Sequence, residues 1–230
     1  MQKRGKKIIV LSLGGSLIIP DEVNLEFLRK FRDVIRKNTR KYKFVIVCGG
    51  GSVARKYINA LFKEGKSDYF QSMAGISVTR LNARFMTYFF GRDAPEGIPH
   101  DMKHVANLLL RHDIIFCGAL RYAPNQTSDA TACRIAAYLG ADFINLTNVK
   151  GLYDKNPKLK GAKFISQTTR KEFAKIVNDI PQKPGMHGPV DHTAMRIILE
   201  HNLKVFILGS DTRQLDNLLS GKKFIGTRIE

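Results

Sequence analysis

The sequence is poor in cysteine. It has three, Cys48, Cys117 and Cys133, an odd number set far apart with no CxxC pair. That pattern excludes a disulfide framework and a cysteine-based zinc site. Cys48 and Cys117 close apolar runs, where cysteine acts as a small hydrophobe, and a reducing, cytoplasmic setting is expected. Long apolar runs are missing too: none reaches the ~18 residues that a membrane span needs. The opening "MQKRGKKIIVLSLGGSLII" has the basic-then-apolar order of a secretion signal. However, Gly14, Gly15 and Ser16 interrupt it, and "PDEVN" offers no small-residue cleavage site. Neither secretion nor a membrane is expected.

Acidic residues are scarce. Twenty Asp and Glu face 38 Lys and Arg, for a formal charge of +18. Such a surface attracts anions. The cations are spread along the chain, and only 150–175 (Lys150, Lys155, Lys158, Lys160, Lys163, Arg170, Lys171, Lys175) gathers them. A dedicated nucleic-acid face is therefore not expected. No internal repeat or low-complexity stretch occurs. The GxxxxGK[ST] of a P-loop is absent. "GGGSVA" matches the dinucleotide fingerprint GxGxxA formally, but the strand ending in an acidic residue that should follow is missing from "KEGKSDYFQSMAG".

What the chain does contain is an ordinary globular composition, 43% apolar and 25% charged over 230 residues, enough for a sizeable core. Five short apolar runs read as strands buried on both faces: 8–12, 44–48, 114–117, 143–147 and 205–208. Helical patterns lie between them. Leu28, Phe31, Val34 and Ile35 share one stripe. The pattern from Ser52 ends at Gly65, and another starts at Thr127, a candidate N-cap, and stops at Gly140. "VDHTAMRIILEHN" is a further helix, and 91–101 and 180–189 read as loops. This alternation predicts an α/β fold: a mostly parallel sheet in a three-layer α/β/α sandwich. A single domain spanning 1–230 is expected.

Three glycine-bearing turns follow strands: "SLGGS", "GGGSVARK" and "CGALRYAPNQTSD". Ligands of open α/β sheets sit at the carboxyl ends of the strands, so the three turns should share one rim. Glycines let backbone N–H groups approach phosphate oxygens, and a helix N-terminus adds a favourable dipole. Arg55 and Lys56, one turn inside the following helix, can supply charge-assisted bonds to the same anion. Asp129 falls in a first helical turn, where a carboxylate is dipole-stabilised; it serves either as a helix start or to orient a cation. In "LTNVKGLYDKNP", Tyr153 among short polar groups is either a wall for a purine or part of an ordinary turn.

The ordered motifs LGGS, CGGGSVARKY, GIxxTRxNA (Gly75, Ile76, Thr79, Arg80, Asn82, Ala83), TSDATA and LTNVKGLYDKNP resemble the amino acid kinase superfamily. Within it, they are most similar to archaeal-type uridylate kinases, from about residue 8 to the closing "IGTRI". The resemblance implies phosphoryl transfer from ATP to UMP, Mg²⁺ carried on the nucleotide, and a homo-oligomer, a hexamer. By position, Gly15, Ser16, Gly51 and Arg55 would touch the ATP phosphates or the transferring group. Thr147, Tyr153 and Asn156 would line the ATP base and ribose. Gly50 would face the UMP phosphate, and Asn125, Gln126 and Thr127 would line UMP. Asp129 would organise the catalytic cations, with Arg55 and Gly15 beside it in catalysis. The N-terminal half would take the acceptor and the C-terminal half ATP.

The chain also departs from that pattern. Ser12 stands where many members carry a lysine, with Lys7, Lys56, Lys150 and Lys183 as possible substitutes. Ser72 stands where uridylate kinases place an aspartate against the nucleoside. The loop 118–127 is about two residues longer than in relatives and carries Arg121 and Tyr122. Asn156 replaces a frequent aspartate, and "KPGMHGPVDHTA" lacks the usual small residues. His187 and His192 read as surface or loop residues. These departures leave two other readings open: a kinase of the same fold for another small acceptor, and a non-catalytic nucleotide- or anion-binding protein.

Overall fold

The computed structural model describes residues 5–122, 127–179 and 190–230. The chain runs through β1 (Lys7–Leu13), α1 (Gly15–Ile18), α2 (Leu25–Asn38), β2 (Tyr42–Cys48), α3 (Gly51–Lys63) and α4 (Asp68–Phe90). Then come α5 (Met102–Arg111), β3 (Ile114–Cys117), α6 (Ser128–Leu139) and β4 (Asp142–Leu146). The last part holds β5 (Leu152–Tyr153), β6 (Phe164–Ile165), β7 (Gln167–Thr168), α7 (Arg170–Asp179), α8 (His192–Glu200), β8 (Val205–Leu208), α9 (Thr212–Leu219) and β9 (Thr227–Ile229).

The five apolar runs are β1, β2, β3, β4 and β8, and they form the parallel centre of one sheet of order β3-β2-β1-β4-β8-β9-β7. β9 joins antiparallel to β8. Alternation along the strands sends side chains to both faces. Val10, Val45, Ile115, Phe143 and Val205 face α5, α6, α7 and α8. Ile9, Leu11, Phe44, Ile46, Phe116, Ile144 and Phe206 face α1, α2, α4 and α9. Both sets are buried, so the sheet is the middle of three layers, as its near-continuous apolar strands require. Cys117 and Cys133 sit in the first packing face and Cys48 in the second. Burial pushes all three thiols up, Cys117 to about 12.

Local signals set the helix ends. Asn24 caps α2 by accepting from the Phe27 N–H, and Thr127 caps α6 by accepting from the Ala130 N–H. α6 stops at Gly140 and α3 just before Gly65, as expected from the sequence. α3 differs from the other long helices, because Ala54 is its only buried residue. It pairs with the first half of α4 as an arm outside the sandwich, whereas the second half of α4 (Ala83, Met86, Phe90) enters the core. That arm keeps large apolar side chains exposed: Tyr57, Phe62, Tyr69 and Phe70.

Candidate active site

Parallel strands end on one side, so the turns after β1, β2 and β3 share a rim, as the sequence predicts. The first two turns each add one rung to the sheet. The Gly49 N–H donates to the Leu13 carbonyl (2.9 Å), and the Gly14 N–H to the Leu146 carbonyl (3.0 Å). The first two turns then meet backbone to backbone. A Cβ on Gly15 would lie 2.1 Å from the Gly51 nitrogen, and Gly51 itself has φ +64°. No side chain fits either position, so glycine is required for the turns to touch. Gly50 caps α3 without a side-chain hydrogen bond. The first N–H groups of α3 therefore have no side-chain cap, and they point along a favourable dipole for an anion.

α4 holds the second and third turns. Asn82 donates to the Gly49 carbonyl at 2.7 Å. Thr79 accepts from the Ala119 N–H at 3.0 Å. Arg80 donates to the Ala119 and Leu120 carbonyls at 2.9 and 2.6 Å. The GIxxTRxNA motif is thus a brace for the rim's backbone, and Arg80 uses its fork on carbonyls instead of an anion.

Asp129 lies under the same rim. Ser12, fully buried, donates to Asp129 Oδ1 at 2.6 Å. Asn145 donates to Oδ2 at 3.4 Å. Ser12 and Asn145 face each other in the register of β1 and β4, so adjacent strands hold the two oxygens of one carboxylate. Asp191 stands nearby as the N-cap of α8, accepting from the Thr193 and Ala194 N–H groups at 2.8 and 3.0 Å. The Thr127 hydroxyl donates to Asp191 and so links the starts of α6 and α8. Burial pushes the Asp129 carboxyl up to about 7; the Ser12 and Asn145 hydrogen bonds oppose the rise, and the Asp191 charge adds to it. Among the described residues, no ion pair reaches either carboxylate.

The remaining expected residues divide clearly. Ser16 is half-buried in α1 at the junction, and Arg55 is exposed on α3 with no ion pair among the described residues. Thr147 follows β4 and donates its N–H to the Leu208 carbonyl at 2.9 Å. Tyr153 packs edge-on against Phe164 across the β5–β6 pair, ring centroids 5.7 Å apart. Asn156 spends its side-chain oxygen on the Lys158 N–H (3.0 Å), closing a turn. The whole hairpin is tied to the closing strand by buried Thr227, which accepts from the Leu152 N–H at 2.8 Å and donates to the Ile165 carbonyl. Asn125, Gln126, Lys183 and His187 lie outside the described residues, and His192 begins α8 instead of a loop.

With this geometry in place, likeness to known proteins is informative. The model of the amino acid kinase family matches residues 7–209. The chain belongs to the amino acid kinase family. It is 32% identical over 225 residues to the uridylate kinase of Thermococcus onnurineus, covering 96% of this chain and 99% of that one. The uridylate kinase of Methanothermobacter thermautotrophicus is also 32% identical, over 224 residues, with 96% and 98% covered. The crystal structure of uridylate kinase from Archaeoglobus fulgidus superimposes with a TM-score of 0.84 at 30% identity, covering 96% and 99%.

One expectation drawn from this family needs correction. Lys7 cannot replace the lysine missing at Ser12. It opens β1 and pairs with Asp142 at 2.6 Å, five residues from Ser12, which is about 17 Å along the strand. Lys56 and Lys150 are exposed on the rim side, on α3 and after β4. At Ser12 itself, this member of the amino acid kinase family carries a neutral hydroxyl that donates to Asp129.

Proposed function

We propose that this chain transfers the γ-phosphoryl group of ATP to UMP, giving UDP and ADP. The observation that carries this reading is the seam between the two glycine turns, in a chain that matches uridylate kinases over nearly its whole length. Two uncovered backbones, from β1 and β2, touch at Gly15 and Gly51. Phosphates bound on either side of that seam meet end to end. Phosphoryl transfer needs in-line alignment and charge neutralisation more than covalent help, and backbone N–H groups fixed by the sheet supply both without rearranging.

In this reading Gly15, Ser16, Gly51 and Arg55 hold the ATP phosphates. Gly50 faces the acceptor phosphate, and Thr127 with Asn125 and Gln126 lines UMP. Thr147, Tyr153 and Asn156 line the ATP base and ribose, so the N-terminal half takes the acceptor and the C-terminal half ATP. Mg²⁺ arrives on the nucleotide. The carboxylates Asp129 and Asp191 are hard oxygen donors of the kind it takes, and they would hold it from the protein side. The ion supplies charge neutralisation to the phosphates when bound. The family reading also gives a cytoplasmic homo-oligomer, a hexamer, which light scattering would check.

A second acceptor is the other reading with an observation behind it, because Ser72 offers only a hydroxyl and Tyr122 adds a ring to the acceptor loop. ADP release from Mg-ATP across UMP, CMP, AMP, GMP and isopentenyl phosphate separates the two. UMP-dependent release is expected, and release with another acceptor alone would reassign the substrate. Arg55→Ala should lower turnover by at least about a hundredfold. Its melting temperature should stay that of the wild type, because the side chain is exposed. Unchanged turnover would remove Arg55 from the phosphate site.

A further inference from the structure

The acceptor loop does not leave the rim freely. It climbs α4. Arg80 holds its start by the Ala119 and Leu120 carbonyls. Two residues later the Tyr122 ring meets the Tyr69 ring, centroids 5.0 Å apart and planes at 77°. Tyr69 also packs on Phe70 at 5.5 Å. At 3.6 residues per turn, Tyr69, Ser72, Ile76 and Arg80 fall on one stripe of α4. The loop is therefore anchored at both ends of that stripe, about 16 Å apart along the helix. Half-buried Ser72 and Ile76 lie between the anchors.

The two ends of the stripe differ in chemistry. At its foot, a Cβ on Gly50 would stand 3.6 Å from the Thr79 methyl, so the second glycine turn, with its uncovered N–H groups, is there. At its head are two tyrosines that stay 48% and 38% exposed despite touching each other. An edge-to-face contact fixes both rings and leaves ring faces open. A fixed, exposed aromatic face is a stacking platform for a nucleobase, because every base has a π-face. One end suits a phosphate and the other a planar ring, in the order in which a mononucleotide carries them.

We propose that Tyr69 and Tyr122 form an aromatic wall against which the pyrimidine ring of the acceptor stacks, and that this wall sets acceptor choice. It rests on the reading that the acceptor is UMP, and it names the residues that recognise the base. Stacking on the wall supplies the affinity for the base.

The test uses titration calorimetry of the full chain with two ligands, UMP and 5,6-dihydrouridine monophosphate, whose base has lost its aromatic plane. The wild type should bind UMP more tightly than the dihydro form. Tyr122→Ala and Tyr69→Ala should each weaken UMP by about 5- to 150-fold, erase the preference between the two ligands, and leave ATP affinity within about twofold of the wild type. Tyr122→Phe should keep both affinity and preference, since the ring remains. UMP affinity unchanged in both alanine variants would overturn the wall. So would an equal loss for both ligands, which would mark the pair as a brace for the loop. Turnover is read separately: wild type that binds UMP with this preference but releases no ADP keeps the wall and removes the kinase reading.

Discussion

The two edges of the central sheet are built from opposite materials. At the edge where the parallel strands begin, cations meet carboxylates directly: Lys6 with Asp113 at 2.5 Å, Lys7 with Asp142 at 2.6 Å, Lys204 with Glu230 at 2.8 Å. At the edge where they end, Asp129 and Asp191 meet hydroxyls, an amide and backbone N–H groups instead. Nothing there neutralises them among the described residues, although the chain carries an excess of 18 positive charges. A closed set of ion pairs suits an edge that only has to stay together. An edge left with negative charge and uncovered glycine N–H groups has work for arriving ions of both signs.

The sharpest way to break this contrast is at the seam. Gly51→Ala puts a methyl group against the Gly15 carbonyl, 2.7 Å away, at a positive φ. It should cost about 3 kcal/mol in urea unfolding and remove nearly all turnover, whereas a strand-start substitution should do neither. Asp129→Asn comes next. It should depress turnover more than ATP binding, and wild-type turnover would return Asp129 to a helix-start role. The same variant tests the charge. The unfolded aspartate titrates near pH 4, while the folded one is pushed up to about 7. Between those values the folded state keeps a proton that the unfolded state has lost, so stability falls as pH rises and then levels off. In metal-free buffer the melting temperature of the wild type should decline across that window, and that of Asp129→Asn should decline less and end higher at pH 8. Ser12→Ala is a smaller perturbation, about 1 kcal/mol. By removing a bond that holds the Asp129 pKa down, it should carry the decline to higher pH. Smallest of all is Lys7→Met at the other edge, with at most about 1 kcal/mol and unchanged turnover. A clear loss of turnover there would mean that the two edges are not independent.

Much of the layer plan can be read from the chain alone, for a physical reason. Strands buried on both faces must be continuously apolar, so β1, β2, β3, β4 and β8 announce themselves, and the glycine turns behind them fall on one rim by topology. Thr127 as a cap and Gly140 as a stop are local signals and hold. β5, β6 and β7 have two residues each, too short for any period, and β9 is legible only as the end of a motif. The hidden part of the site is what depends on register. Ser12 and Asn145 grip Asp129 because β1 and β4 pair with those two residues opposite each other, and no spacing along the chain contains that fact. Asn82 on Gly49 and Thr227 under the β5–β6 hairpin are hidden in the same way, by distances of 33 and 75 residues along the chain.

The three thiols give the molecule an internal clock. Only a thiolate reacts with alkylating reagents, and burial keeps Cys48, Cys117 and Cys133 protonated inside the core. Labelling must therefore wait for the core to open, and its rate at fixed reagent measures that opening under native conditions. Because Cys48 lies on one side of the sheet and the other two on the opposite side, peptide mapping of the first label would tell which layer lifts first. Bound nucleotide should slow that clock, which turns an unreactive trio into a reporter of ligand binding that needs no catalysis.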